Sequence, residues 1–348
     1  MRLRRLPLDA VDWASLDAFP GRVVFQTKEW LSFLAETQRG DPVVAALEDG
    51  AETVGYFTGM VVRRSGLRIL GSPFPGWTTM YMGFNLPEDV PRRAAAEALL
   101  DLAFGPLRCV HVEVRDHALT AKDLLALGFE AKPFTTYLVD LIGSEEDVWA
   151  RLKSSCRGRV RKAEKSGVVI EEATDLGFAD DYVAQLHDVF VKQSLVPTYG
   201  ADRVRALIRN LLPTGRLLLL RARDSEGRCI ATGIFPAMSG TMYFWGGASW
   251  REHQHRSPNE ALLWHAMRHW KARGTTTFDM GGGGDYKRKY GGELVQIPSF
   301  ARPRFRLLGE LRDVAQRAVA ARQRIAGRIR AVRGGSAAPA LEGGRGDG

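Results

Sequence analysis

The chain has 348 residues, 49 lysines and arginines against 40 acids, a formal net charge of +9 and 45% hydrophobic residues. This length leaves room for two domains with cores of their own, and eight tryptophans exclude a largely disordered chain. Cys109, Cys156 and Cys229 are isolated and odd in number, which excludes a disulfide framework or a cysteine-based metal site and fits a reducing compartment. No apolar run approaches the roughly 20 residues of a membrane-spanning helix. The opening MRLRRLPLDAVDW has basic residues with no apolar stretch behind them, so the expectation is a cytoplasmic protein without a signal peptide.

The charge is concentrated in two places. Residues 301–348 hold 11 arginines, no lysine and four acids, and residues 151–165 hold seven bases and one acid. Patches of this kind attract anions.

Residues 43–62 read as a hairpin, VVAAL and VGYFTGMVV joined by Glu48-Asp49-Gly50. A helix then opens at Pro91 and leads to the strand CVHVEV. Residues 135–141 form the next strand, after which Ser144 caps a helix with acids in its first turn. Trp149, Leu152, Cys156, Val160 and Ala163 share one stripe of that helix, the basic cluster covers its other faces, and Gly167 ends it. Residues 217–238 repeat the hairpin, a helix opens at Pro258, and TTTFDM repeats the strand, at an offset of about 170 residues. Residues 307–333 read as a basic amphipathic helix and 334–348 as a disordered tail. The expected fold class is α/β (α+β), divided into units at 1–135 and 136–306.

Four segments could carry chemistry. Ser257-Pro258-Asn259-Glu260 reads as a capping box, and the backbone N–H groups of such a helix start can hold an anion. Asp279 to Asp285 is a glycine-rich loop straight after a strand; without GK[ST] it is not a Walker loop. Tyr286-Lys287-Arg288-Lys289-Tyr290 alternates rings and cations beside it, and the helix at 151–165 offers Arg157, Arg159, Arg161 and Lys162 to phosphates and is expected to face a cleft. His265 and His269 stand one helical turn apart, but HAMRH lacks the glutamate of a zinc-protease motif, so no metal is expected. No nucleophile elbow or Ser/His/Asp order stands out.

Taken together, these segments resemble the Fem family of peptidoglycan bridge-forming transferases and its BioF2-like GNAT relatives. The resemblance rests on Phe25-Gln26-Thr27-Lys28-Glu29-Trp30, the basic helix ending in Lys165-Ser166-Gly167-Val168, Tyr243-Phe244-Trp245-Gly246-Gly247, Ser257-Pro258-Asn259, and Phe278-Asp279-Met280-Gly281 leading to Tyr286–Gly292. It spans roughly residues 22–305 and implies two tandem GNAT-like domains, each a mixed sheet flanked by helices. It also implies acyl transfer from a thioester such as acyl-CoA to an amine on a cell-envelope or exopolysaccharide precursor. The Fem alternative is transfer from aminoacyl-tRNA onto a nucleotide- or lipid-linked muropeptide. A third reading, from another class, is a non-catalytic protein binding polyanions or an anionic membrane through a degenerate GNAT pair. The residues implied are Lys287, Asp279 and Tyr243 for catalysis, with Arg157, Arg159, Arg161, Lys162, Trp245, Asn259, Lys289 and Lys28 for substrate. A peripheral position at the inner face of the cell membrane goes with a lipid-linked acceptor. The segment 251–257 lacks the glycines with which single-domain GNAT enzymes cradle pyrophosphate.

Overall fold

The computed structural model describes residues 1–19, 21–117, 119–132, 134–192 and 199–305. The helix and tail expected at 307–333 and 334–348 lie outside them. No helix among the described residues is long and apolar enough to cross a membrane.

The two predicted hairpins organise two mixed sheets of eight strands each. In the first sheet, Asp41–Asp49 and Glu52–Arg64 form the hairpin, Arg2–Leu6 flanks one side, and Leu67–Ser72 leads in parallel to His111–Arg115. In the second, Leu217–Arg223 and Cys229–Met238 form the hairpin, and Thr241–Tyr243 runs parallel to Thr277–Asp279. Phe134–Asp140 lies between Thr277–Asp279 and the edge strand Glu293–Ile297. The helices Arg92–Phe104 and Pro258–Lys271 occupy corresponding places, so the duplication read from sequence is a duplication of structure.

Two local features differ from expectation, and a third was open. The helix beginning after Ser144 is two helices, Glu145–Arg151 and Ser154–Lys165, because Leu152 and Lys153 take extended ψ values of 140° and 148°. Ser144 does close a capping box with Asp147. The Tyr286–Tyr290 segment, whose conformation the sequence left open, lies in a short 3₁₀ helix, Asp285–Tyr290. Ser299–Pro303 does not stay with the second unit but inserts between His111–Arg115 and Glu130–Ala131 of the first sheet.

The units share one apolar cluster, and each has a further core cluster of its own. Helix Lys28–Gln38, capped by the Thr27 hydroxyl, buries Trp30, Leu31, Phe33 and Leu34 at helical spacing. In the same cluster lie Val204, Leu207, Ile208 and Leu211 from helix Ala201–Leu211 of the second unit. Phe25 meets Trp30 edge-on at 4.6 Å and reaches across to Tyr243 at 4.6 Å. Charged groups reinforce the seam: Asp17 accepts from Arg22 Nε at 2.9 Å and from Arg216 of the second unit at 2.8 Å. Arg203 donates to the Trp77 carbonyl and, at 3.2 Å, to the Thr78 hydroxyl.

A core shared in this way predicts joint unfolding. Phe25→Ala should cost about 3–5 kcal/mol while denaturant unfolding, followed by far-UV circular dichroism and tryptophan fluorescence, keeps one coincident transition. Two separated transitions in the wild-type protein would show that the units are independent.

Candidate functional site

The second sheet splits at one place, for a reason visible in its sequence. Thr241–Tyr243 is hydrogen-bonded on both sides, and the Phe244 N–H still reaches the Asp279 carbonyl at 2.9 Å. The pairing with Cys229–Met238 then slips by one residue between Met242 and Gly246, a bulge that turns the strand away from Thr277–Asp279. Gly246–Ser249 continues along Cys229–Met238 only. Glycines permit the divergence: a Cβ on Gly246 would collide with the Tyr182 hydroxyl, and one on Gly247 would lie 2.8 Å from the Phe244 ring.

The gap is a cavity of about 380 Å³. It is lined by Thr232, Gly233, Phe235, Phe244, Tyr286 and Tyr290, by Gln254 and Lys289, and by Asn259 and Glu260 at the start of helix Pro258–Lys271. Since the Trp250 N–H bonds Ile230, antiparallel alternation turns the N–H groups of Gly247 and Ser249 away from Cys229–Met238, toward the open edge.

The helix start is not the capping box expected from Ser257 and Glu260. Ser257 is left-handed, with φ 60°, and makes no capping bond. Its Oγ is buried without a hydrogen-bond partner among the described residues. Glu260 turns instead to Lys289 Nζ at 2.6 Å, with Arg159 Nε 3.8 Å away. Asn259 Nδ2 donates to Ser249 Oγ at 3.0 Å, tying the helix start to the diverging strand. The first-turn N–H groups are thus left without a side-chain cap at the cavity rim, where the helix dipole favours an anion.

Beneath the cavity lies the group that contains the expected catalytic residues. Asp279 is 1% exposed and accepts from Thr136 Oγ1 at 2.5 Å, the Gly281 N–H at 2.8 Å and the Tyr81 hydroxyl of the first unit. Burial, with the Asp279 charge as a further cause, pushes the Tyr81 and Tyr243 phenols well above the usual tyrosine range, so both stay protonated. Tyr243 is 2% exposed among the aromatic rings of the seam. Lys287 Nζ donates to the carbonyls of Met280 and Gly281 at 2.7 Å and of Gly282 at 3.3 Å, closing the glycine loop on itself. Burial brings its pKa down to about 8, opposed by Asp279. None of the three lines the cavity; they form its support.

The other expected residues divide. Asn259 and Lys289 meet at the cavity. The basic helix does not face the cleft between the units: Cys156, Val160 and Ala163 pack in the second unit's own core against helix Pro258–Lys271. Its Arg159 Nε stands 3.8 Å from Glu260, which lines the cavity. Arg157 donates to the Ala150 and Leu152 carbonyls, stapling the break between the two helices. Arg161 stands 5.5 Å from the Trp149 ring centroid, and Lys162 is exposed. Trp245 is 3% exposed in the shared core beside Tyr199, and Lys28 is exposed at the head of the first unit's helix. The three cysteines are free, and burial lifts each thiol to about 11, so none is a nucleophile at neutral pH.

Local sequence gave no sign of Tyr81 or Thr136, and Glu260 was legible only as a cap. In the first unit the corresponding split is filled. Leu67–Ser72 runs parallel to His111–Arg115 and Gly83–Asn85 continues along Glu52–Arg64, while Phe74, Trp77, Met80, Tyr81 and Met82 of the intervening segment are buried in the shared core.

Comparison with known proteins agrees with this geometry. Residues 150–289 match the family model described as an acetyltransferase (GNAT) domain. FemX has a similar structure, with a TM-score of 0.72 and 15% identity over 89% of this chain and 99% of that one. A tandem GNAT protein from the clavulanic acid biosynthesis pathway gives 0.51 and 12% over 87% and 99%. L-PGS from Bacillus licheniformis gives 0.51 and 13% over 84% and 92%. No curated protein matches the chain. The protein has a Fem-like tandem GNAT fold.

The Lys287 site predicts a signed pH dependence. Its amine titrates near 8 when folded and at its ordinary 10.5 when unfolded, so between those values the unfolded chain holds the extra proton. Stability contributed by Lys287 therefore rises from pH 8 to 10.5, and denaturation of Lys287→Met across that window should lack the rise. Asp279→Asn places an amide N–H₂ among three donors and should cost about 1–3 kcal/mol, read as a lower denaturation midpoint with unchanged slope.

Proposed function

We propose that the protein is an N-acyltransferase that takes an acyl group from a thioester carrier, acyl-CoA, and places it on an amine of a cell-envelope or exopolysaccharide precursor. The observation that carries this reading is the split in the second sheet, with an uncapped helix start at its rim. A carrier's pantetheine arm could lie in the wedge as an extra strand along Gly246–Ser249, using the backbone groups that have lost their neighbour. Its phosphates would meet the first-turn N–H groups, Lys289 and Arg159, with Arg157 and Lys162 further along the basic helix. GNAT folds generally use acyl-CoA as co-substrate.

The chemistry needs no covalent intermediate. The amine nitrogen attacks the thioester carbon, the C–N bond forms, and the C–S bond breaks. Negative charge on the carbonyl oxygen would be met by the N–H groups of Gly247 or Ser249. The Tyr286 phenol, which lines the cavity, would protonate the leaving thiolate and regain its proton from solvent, which also takes the proton lost by the amine. Asp279, Tyr243 and Lys287 would act by holding the split open at a fixed width, and Lys28 would face the acceptor.

The alternative is aminoacyl transfer from tRNA to a muropeptide, favoured by the likeness to FemX; the exposed basic helix would then meet RNA. Incubating the protein with acetyl-CoA and amino-sugar or muropeptide acceptors, followed by mass spectrometry, separates the readings. A gain of one acyl group supports the proposal, whereas a gain of one amino-acid residue that ribonuclease abolishes supports the alternative. Polyanion or vesicle binding without transfer by either route would support the non-catalytic reading.

Lys289→Met should raise the KM for acyl-CoA by about tenfold or more with a smaller change in kcat, as expected for uniform binding. An unchanged KM would remove Lys289 from the donor site.

A further inference from the structure

Away from the cavity, the strand Val169–Glu172 lies at the outer edge of the second sheet, paired with Leu217–Arg223. Its last residue, Glu172, meets His265 and His269, which lie one helical turn apart and so on one face of helix Pro258–Lys271. Glu172 Oε1 is 2.7 Å from His269 Nδ1 and 3.4 Å from His265 Nε2, and one ligand atom from each residue lies within 4.8 Å of the others. We propose that Glu172, His265 and His269 form a binding site for a divalent transition-metal ion of the zinc class.

The donor set fits this cation class. Two imidazole nitrogens and one carboxylate oxygen suit Zn²⁺, Co²⁺ or Ni²⁺, whereas Mg²⁺ and Ca²⁺ call for oxygen ligands throughout. Ligands about 2.0 Å from a tetrahedral zinc stand roughly 3.3 Å from each other. The 3.4 Å separation already has that value, and the 2.7 Å separation reaches it with a small rotation of the carboxylate. Glu172 is 50% and His265 32% exposed at the side chain, leaving a fourth position open to water, while His269 is 10% exposed and anchors the set. Arg273, just past the end of that helix, donates to the His269 carbonyl at 3.0 Å and is the opposing charge, reducing affinity without blocking the ligand atoms. Three ligands from two elements would cross-link the edge strand to the helix whose other end borders the cavity.

The test uses the full chain after chelator treatment, titrated with ZnCl₂ by calorimetry and with CoCl₂ by visible absorption. The expected result is one equivalent bound, a d–d band with Co²⁺, and a higher melting temperature with Zn²⁺. His265→Ala and His269→Ala should each weaken Zn²⁺ binding on the order of 100-fold, and Glu172→Gln on the order of tenfold. Circular dichroism of the metal-free variants reports whether they fold. His253→Ala/His255→Ala removes the other close histidine pair and should leave the binding unchanged. Equal Zn²⁺ affinity in the wild type and in folded His265→Ala/His269→Ala overturns the proposal, as does loss of binding in His253→Ala/His255→Ala. Absence of Zn²⁺ binding by the wild type overturns it too, leaving an ion-paired His–Glu cluster.

Discussion

The organisation of the molecule turns on a carboxylate with nowhere to discharge its charge but into neighbouring donors. Asp279 ends a strand of the second sheet, lies almost wholly out of water, and takes hydrogen bonds from three elements, one in the other unit. A buried charge with any of these donors missing would be costly. Satisfying it therefore fixes the segment 73–82, the strand Phe134–Asp140 and the glycine loop relative to one another. The aromatic seam of Phe25, Tyr81 and Tyr243 closes over it and supplies the low-dielectric surroundings that make those bonds strong.

The cavity depends on that fixed frame. A sheet opens only where a strand gives up one neighbour and keeps the other, and the bulge between Met242 and Gly246 does this beside Asp279. Lys287 holds the far lip by gathering three carbonyls of the glycine loop. The duplicated units thus have different fates: one split is held open by backbone and glycine, while the other is packed with Phe74, Trp77 and Met80, which serve the seam.

Repetition and periodicity made much of the fold legible in the chain. Hairpins, helices opening at proline and strands at a constant offset are local patterns, and the Tyr243–Gly247, Pro258 and Asp279–Tyr290 segments do converge around one site. Roles were harder to read than places. Asp279, Lys287 and Tyr243 look like chemical groups in a sequence, and only three-dimensional burial shows their partners to be Tyr81, Thr136 and backbone carbonyls. Ser257 and Glu260 have the spacing of a capping box, yet Glu260 is drawn to Lys289 and Arg159, charges from remote segments. His265 and His269 read as a lone pair because Glu172, which joins them, stands 93 residues away from the first.

The path of the final described strand has a consequence for how the chain is made. Ser299–Pro303 is an inner strand of the first sheet, although all of the second unit is synthesised before it. The first sheet therefore cannot be completed before the second unit has emerged from the ribosome, although most of the first unit's own core precedes that unit in the chain. Until residue 303 is available the nascent first sheet has His111–Arg115 as an exposed edge, open to wrong pairing with any passing strand. A chain cut short after the second unit would leave the first without one of its inner strands.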